Sequence, residues 1–215
     1  MSTFNNLSIV VDFLTEVPLN SNIKYEFDKE LNMLRCDRIL HTSMAYPGNY
    51  GYIPKTLSND GDPIDVLMIS DYKIQPMTIV KVKIIGVLQM KDEKGEDEKL
   101  IVVPDKSIDP YYTKVNDLRD IPEHLLDKIK HFFEHYKDTE PNKWVNVMGF
   151  GNREMANKLY ADAKRRYRSG RLNNKITTME EELSDEFEDF KKRIKKELPK
   201  KELIIKCYPD MCGNG

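Results

Sequence analysis

The chain has 215 residues, a formal net charge of −2 and 40% hydrophobic residues. This length predicts one domain, or one domain with an appendage, that can bury a core of its own. The near-balanced charge argues against a basic field over the whole molecule, so nucleic acid is not expected as a partner. No stretch resembles a signal peptide or is apolar enough to cross a bilayer, which predicts a cytoplasmic protein without a membrane partner.

The cysteines point to the same compartment. There are three of them, and they form no CxxC pair, which favours reduced thiols over a disulfide framework. Cys36 lies in a segment of alternating apolar residues and is predicted to be a core residue. Cys207 and Cys212 lie in a Gly-rich tail, where a metal site is only a minor alternative.

The first half of the chain has the alternation and composition of β-strands. Residues 23–27 alternate strictly, with Lys24 and Glu26 on one face and apolar side chains on the other. Gly86 indicates a bulge or bend in the longest strand. The predicted strands cover residues 9–16, 23–27, 31–40, 78–90 and 99–103, with a further strand starting near Asp65. Short strands joined by turns predict a small closed barrel.

The second half changes to helical spacing. Residues 122–137 carry apolar side chains three and four positions apart, and Pro122 fits the first turn of that helix. A last strand is predicted over 143–150, a second helix over 152–168, and a break over 169–174 around Gly170. A capping box at 178–181 predicts a third helix, which Pro199 ends. The apolar stripe of this third helix consists of Leu183, Phe187, Phe190, Ile194 and Leu198.

An acidic cluster lies between the predicted strands. Asp60, Asp62 and Asp65 fall within six residues, and the Gly and Pro among them predict a turn that leads into a strand. Carboxylates this close raise one another's pKa unless a cation intervenes, and hard oxygen ligands suit Mg²⁺ or Mn²⁺, with Ca²⁺ as a competitor. An EF-hand loop is excluded because its sixth and twelfth positions would hold Asp65 and Asp71. A solvated acidic turn is the plain alternative.

A second acidic group and several cations complete the pattern. Asp92, Glu96 and Asp97 flank the turn of the long hairpin. The cations and phenols set among apolar residues are Lys24, Arg38, Lys99, Lys137, Tyr50 and Tyr136. Acidic groups that hold divalent metal, faced by Lys, Arg and Tyr, suit a phosphate polyanion as substrate. The alternatives to a substrate-binding role are that Lys99 is an ordinary surface lysine of a strand, and that Tyr50 and Tyr136 only pack against the barrel and the helix. No P-loop or GxGxxG is present, so a nucleotide is not implied.

The segment 60–65, DGDPID, is similar to the signature of the soluble family I inorganic pyrophosphatases. Other matching segments, in the family's order and spacing, are 23–26 (IKYE), 37–38 (DR), 46–52 (YPGNYGY), 95–99 (GEDEK) and 131–137 (HFFEHYK). The resemblance runs from about residue 7 to about residue 168. It implies a mainly β, α+β fold in which helices pack against a five-stranded, OB-like closed β-barrel. It also implies Mg²⁺-dependent hydrolysis of pyrophosphate to two orthophosphates by a metal-activated water.

The resemblance also implies a role for each matching residue. Asp60, Asp65 and Asp97 match ligands of a first metal, with Asp65 bridging to a second, while Asp92 and Glu16 match residues that support further metals. Several Mg²⁺ ions per active site are implied, with Mn²⁺ or Zn²⁺ as substitutes. The residues that match substrate-binding positions are Lys24, Arg38, Tyr50, Tyr136 and Lys137, with Glu26, Tyr46 and Lys99 lining the same cavity.

Asp62 matches the base that orients or deprotonates the water between the metals. A carboxylate in that role needs only to be ionised and within hydrogen-bond reach. The alternative function is a non-catalytic OB-like module that binds divalent metal or phosphate. A binding barrel of that kind predicts stacking aromatics and a basic groove, whereas acidic clusters are found here.

The chain continues past residue 168, where short bacterial members of the family end. The predicted domains are therefore a catalytic domain over 1–170 and a charged helical extension and tail over 171–215. The resemblance implies a homo-oligomer, with a hexamer favoured over a dimer or trimer, and the extra helix could cap or replace a subunit contact. His131 and His135 share a helix face and match subunit-contact residues.

Overall fold

Nine strands and two α-helices make up the part of the chain that the structure describes. The computed structural model describes residues 8–197, and for residues 173–176, 178–184, 187, 190 and 194–197 it describes the backbone alone. The strands are β1 Val10–Val17, β2 Ile23–Asp28, β3 Met33–Ile39, β4 Asn49–Tyr52, β5 Asp65–Met68, β6 Ile79–Asp92, β7 Gly95–Glu96, β8 Lys99–Pro104 and β9 Val145–Gly151. The helices are α1 Glu123–His135 and α2 Arg153–Glu197, with short 3₁₀ turns at Pro110–Lys114 and Leu118–Asp120. The fold is thus mixed α and β, with mostly sheet and few helices, as predicted at that level.

Seven of the strands form one sheet whose pairings return to their starting point. β1 pairs with β4, β4 with β5, β5 with β8 and β8 with β6, and β6 in turn pairs with β1. All of these pairs are antiparallel except β5 with β8. β7 and β9 add to the long strand β6, while β2 and β3 form a separate two-stranded sheet. The long strand β6 therefore connects most of the sheet.

Two glycines allow close approaches that fix this sheet. A Cβ at Gly51 in β4 would lie 2.0 Å from the carbonyl oxygen of Leu14 in β1. A Cβ at Gly86 would lie 2.3 Å from Leu118 Cδ1, and the register between β6 and β8 shifts between Ile84 and Gly86. The predicted bulge at Gly86 is confirmed. β4 was not predicted, because its short, Gly-containing sequence has no alternating pattern.

Alternate residues of the central strands supply two apolar clusters. Leu67 of β5 and Ile101 of β8 belong to the cluster that includes the buried rings Phe132 and Phe133 of α1. The residues on either side of them, such as Val66, belong to a second cluster together with the first part of α2. Burial on both faces explains why these strands read as continuous apolar runs.

In the helical half, the observed elements agree with the predicted ones up to residue 168 and differ from them afterwards. α1 begins after Pro122, and β9 lies within two residues of the predicted strand. The predicted break at 169–174 is wrong, because α2 runs on through Gly170. A helical glycine costs only about 1 kcal/mol relative to alanine, so a single glycine does not by itself end a long helix. The apolar side chains predicted to stripe the third helix lie outside the described side chains, as do Cys207 and Cys212.

Cys36 corrects a second expectation. It is exposed on β3 and is not a core residue. The two-stranded sheet of β2 and β3 also leaves Met33 and Ile39 exposed, since no layer of the described chain covers that face. None of the helices described here combines the length and apolar composition that a membrane crossing requires.

The chain groups into two compact units, Met1–Ser169 and Gly170–Gly215. The boundary falls next to the predicted one, and the assignment of catalysis to the first unit remains a prediction.

Candidate active site

A cavity of about 240 Å³ opens where several strand ends and the end of α1 meet. Its carboxylates are Glu16, Glu26, Asp60, Asp62, Asp65, Asp92, Glu93, Glu96 and Asp97. Its cations are Lys24, Lys29, Arg38, Lys94, Lys99, Lys137 and Lys143. Tyr46, Tyr50, Tyr52 and Tyr136 also line it, with Phe27, Pro63 and Phe133.

All fourteen residues predicted for the site line this cavity. They come from segments far apart in the sequence: β1, β2 and β3, the strands β4 and β5 with the turn between them, and β6, β8 and the end of α1. Because a strand end leaves its last side chains free of the sheet core, polar groups from many strands can meet there. The structure thus brings the residues together, while their individual roles remain predictions.

Lys99 is a buried cation between two carboxylates. Its side chain is 3% exposed, and its Nζ forms ion pairs with Asp65 and Asp97. Burial alone disfavours the charge on Lys99, but the two carboxylates outweigh it and raise the lysine pKa above its ordinary value. Tyr50 donates a hydrogen bond from its hydroxyl to the same Asp65 oxygen at 2.7 Å. The surface-lysine alternative for Lys99 is therefore wrong.

Lys137 and Asp92 form a second buried ion pair. Lys137 Nζ lies 2.8 Å from Asp92 Oδ2 and 3.5 Å from Glu93 Oε2. Burial would raise the pKa of Asp92, but the bond from Lys137 and the backbone N–H of Lys94 together lower it below its ordinary value. Sequence reasoning missed Glu93, although its place beside Asp92 was a usable signal.

Lys24 and Arg38 are held by a third group of carboxylates. Lys24 Nζ pairs with Glu26 and lies 3.3 Å from Asp37 Oδ2. Arg38 lies 2.6 Å from Asp37 and 3.0 Å from Glu140. These contacts fix both cations at the edge of the cavity. Glu140 was missed because it follows α1, 102 residues away from Arg38.

Burial perturbs two acids in the opposite direction to Asp92. Burial raises the pKa of Glu16 to about 7; the hydrogen bond from the Phe27 N–H at 2.7 Å opposes the shift, and the charges of Asp65 and Glu26 add to it. Burial also raises the pKa of Asp97, with Lys99 opposing. Both carboxyl groups therefore lie where an additional cation would favour the ionised form.

The phenols lie on an aromatic layer supplied by α1. The rings of Tyr46 and Phe132 are 4.8 Å apart, and those of Tyr50 and Phe133 are 6.4 Å apart. Burial raises the pKa of Tyr46, Tyr50 and Tyr136 well above the ordinary value, so all three stay protonated. Packing and a polar role are compatible here, because the rings pack while the residues line the cavity.

The donor set fits a hard divalent cation in its chemistry. Every potential ligand in the cavity is a carboxylate or hydroxyl oxygen, and neither His nor Cys lines it. Glu93 Oε2 is a buried oxygen without a hydrogen bond in the described chain. No three acidic, His or Cys side chains of the described part are already spaced to hold a metal. Three carboxylates of the cavity are instead paired with lysines, Asp65 and Asp97 with Lys99 and Asp92 with Lys137.

Clustered oxygen ligands surrounded by fixed cations define a site for a phosphate anion with divalent metal. Residues 13–168 match the family described as inorganic pyrophosphatase. The chain is 47% identical over 160 residues to the inorganic pyrophosphatase of Saccharolobus solfataricus, covering 74% of this chain and 93% of the relative. It is 53% identical over 152 residues to that of Helicobacter pylori, covering 71% and 88%.

Solved structures agree. The H. pylori inorganic pyrophosphatase matches with a TM-score of 0.72 at 48% identity, over 78% of this chain and 98% of that one. The enzyme from Thermus thermophilus matches with a TM-score of 0.72 at 39% identity, over 78% and 95%. The chain belongs to the inorganic pyrophosphatase family. It is a hydrolase that converts pyrophosphate to phosphate with a divalent metal cofactor, which sets aside the non-catalytic binding module.

Proposed function

We propose that this cavity is the active site, that Mg²⁺ is the cofactor, and that the predicted residues carry the roles implied by the family. The single observation that supports this most is that all fourteen line one cavity with an all-oxygen ligand set. Mg²⁺ prefers hard oxygen donors, whereas Zn²⁺ favours the nitrogen and sulfur ligands that this cavity lacks. Mn²⁺ and Zn²⁺ are expected as weaker substitutes.

Asp60, Asp65 and Asp97 would hold the first metal, with Asp65 shared with a second, and Asp92 and Glu16 would support those that enter with substrate. Bound Mg²⁺ would supply charge neutralisation of the phosphate oxygens and a lower pKa for a coordinated water. Asp65 and Asp97 first have to exchange their contacts with Lys99, and Asp92 its contact with Lys137.

Asp62 is suited to the role of base. Its carboxylate is exposed to the cavity and has no hydrogen-bond or ion-pair partner in the described chain. The turn is fixed by its backbone, because the Asp62 N–H donates to Asp60 Oδ1 at 3.0 Å and its carbonyl accepts from the Ser58 N–H at 2.7 Å. A fixed carboxylate with free lone pairs can accept the proton of an attacking water and orient it.

Lys24, Arg38 and Lys137 bind the phosphate oxygens and stabilise charge on the departing phosphate. They are positioned before substrate arrives by their carboxylate partners, so little reorganisation is needed during reaction. Tyr50 and Tyr136 remain protonated and serve as hydrogen-bond donors. Tyr46, Glu26 and Lys99 shape the same cavity.

The decisive experiment measures phosphate released from pyrophosphate with about 5 mM Mg²⁺, and again after excess chelator is added. Activity that disappears with chelator and returns with Mg²⁺ supports the proposal. A matched pair, Asp62→Asn and Asp12→Asn, separates a site residue from an exposed aspartate of β1 outside the cavity. Full activity of Asp62→Asn would place the base elsewhere.

The remaining proposals concern architecture and assembly. The five strands β1, β4, β5, β8 and β6, whose pairings return on themselves, are proposed to form the OB-like closed barrel. The protein is proposed to be cytoplasmic. Residues 171–215 are proposed as a helical extension without a catalytic role, since every proposed site residue precedes them.

We propose a homo-oligomer, with a hexamer favoured, in which His131 and His135 contact another subunit. Both are exposed on α1 with ring centroids 4.7 Å apart, and His135 Nδ1 lies 2.7 Å from Asp138 Oδ2. Changing both histidines to Asp would gather three carboxylates at the contact. Light scattering should then show a lower mass, whereas the exposed His41→Asp should not change it. An unchanged mass of the double variant would contradict this contact.

A further inference from the structure

Two lysines in two different turns line the cavity without a carboxylate partner. Lys29 follows β2 in the turn to β3, and Lys94 lies in the turn between β6 and β7. Both side chains are exposed, and neither forms an ion pair or side-chain hydrogen bond within the described chain. An exposed residue that lines a cavity lies at its opening, so these two amines stand at the mouth.

The other cavity cations are committed to internal partners. Each forms at least one ion pair with a carboxylate: Lys24, Arg38, Lys99, Lys137 and Lys143. The carboxylate partners therefore partly neutralise these cations, which weakens their electrostatic attraction for an anion outside the cavity. Lys29 and Lys94 differ because neither amine forms an ion pair with a carboxylate of the described chain.

The turns that carry the two lysines are fixed at their bases. Asp28 Oδ1, just before Lys29, accepts hydrogen bonds from the N–H groups of Glu30 at 3.0 Å and Leu31 at 2.9 Å, which follow it. Asp92 Oδ1 accepts the N–H of Lys94 itself at 2.8 Å. The backbone thus presents each amine from a defined place while the side chain remains free to meet an anion.

The charge of the cavity explains why free cations at its mouth matter. Nine carboxylates face seven cations along the lining, so the protein alone presents a net negative site to an anionic substrate. Exposed charges act over about 8 Å at physiological ionic strength and over longer distances in dilute buffer. Electrostatic steering of this kind raises association rates without altering the chemical step.

We propose that Lys29 and Lys94 capture the pyrophosphate anion at the cavity mouth and pass it inward to the paired cations. They are positioning residues that set the association rate and take no part in bond cleavage. This inference rests on the proposed assignment of the cavity as the active site. It predicts a loss of kcat/KM, with kcat unchanged, when either charge is removed.

The test is a charge series at each position, with Lys29 and Lys94 replaced in turn by Arg, Gln and Glu. The same replacements at Lys106 serve as the matched control, since that lysine is also exposed but does not line the cavity. Steady-state hydrolysis of pyrophosphate is measured at saturating Mg²⁺, in buffer of about 20 mM ionic strength and again with about 0.5 M KCl. Circular dichroism of each variant confirms that the fold is retained.

We expect Arg to retain wild-type kcat/KM, Gln to lower it about three-fold per site at low salt, and Glu to lower it further. In high salt the ratio of wild-type to variant kcat/KM should approach one. The replacements at Lys106 should leave kcat/KM unchanged at both ionic strengths. The proposal is overturned if kcat/KM is independent of charge at both sites, if the losses persist in high salt, or if kcat falls equally. Failure of the active-site assignment is distinguishable, because Asp62→Asn and Asp65→Asn would then both leave activity intact at every Mg²⁺ concentration.

Discussion

The buried cation Lys99 gives the sharpest test of how metal and protein charges exchange in the cavity. Replacing Lys99 with Met removes the ammonium and keeps a side chain of similar length. Asp65 and Asp97 then face each other without the cation that separates them. Both carboxylates are close enough to share one amine, so their repulsion is added to the loss of the ion pairs.

The magnitude follows from the burial of the three groups. Removing one partner of a fully buried ion pair costs about 3–5 kcal/mol. Lys99 is 3% exposed, but Asp97 is 18% and Asp65 33% exposed, so water offsets part of the loss. We expect a destabilisation of about 2–4 kcal/mol, which corresponds to a fall in Tm of roughly 6–12 °C for a domain of this size.

The assay is thermal and urea unfolding of Lys99→Met without metal and with increasing Mg²⁺. If Asp65 and Asp97 ligate Mg²⁺, the cation replaces the lost charge, and Mg²⁺ should stabilise the variant more than the wild type. The control is Lys81→Met, which breaks an ion pair with Asp12 whose partners are 62% and 56% exposed and should leave stability nearly unchanged. The reasoning is refuted if Lys99→Met is as stable as wild type without metal, or if Mg²⁺ stabilises both proteins equally.

Four further predictions follow from the proposed site and the sheet. Asp65→Asn should need more Mg²⁺ and recover activity as Mg²⁺ is added, because a lost ligand weakens cation binding. Asp62→Asn should saturate with Mg²⁺ near the wild-type range but with kcat lower by roughly 10²–10⁴-fold, and full rescue by metal would make Asp62 a ligand instead. Ending the chain before Gly170 should leave a folded, active enzyme in a phosphate-release assay, and an inactive but folded truncation would show that the site is incomplete. Gly51→Ala should destabilise the protein by about 3 kcal/mol in urea, since its Cβ would lie 2.0 Å from the Leu14 carbonyl oxygen; an unchanged urea midpoint would show that β1 and β4 can separate without cost.

The amino-acid sequence is enough to predict the elements with a strong internal period and many of the residues that line the cavity. The alternation in β6, the continuous apolar run of β8 and the apolar stripe of α1 predict those elements within two residues of their observed ends. Of the fourteen cavity residues predicted from the sequence, twelve belong to short segments that match the family, and Glu16 and Asp92 lie outside those segments. Local patterns suffice for such features because strand and helix periods are properties of the chain itself.

Tertiary structure decided the features that depend on a distant partner. β4 forms because β1 and β5 supply its hydrogen bonds on both sides, and its own sequence gives no alternating signal. Cys36 is exposed although its segment alternates, because β3 pairs only with β2 in a separate two-stranded sheet. Lys99 is buried because Asp65 and Asp97 compensate its charge, which no sequence pattern reveals.

The same distinction applies to the cavity cations. Lys24 and Lys29 both belong to a charged segment around β2, and composition gives no means to separate them. Only the folded chain brings Glu26 and Asp37 to Lys24 while leaving Lys29 without a carboxylate. The helix α2 also continues through Gly170, where the local sequence predicts a break. The free-energy cost of one helical glycine is smaller than the stabilisation that the helical turns on either side contribute. Pairing of charges and continuity of helices depend on free energies summed over many residues, whereas sequence motifs report only on their own short segment.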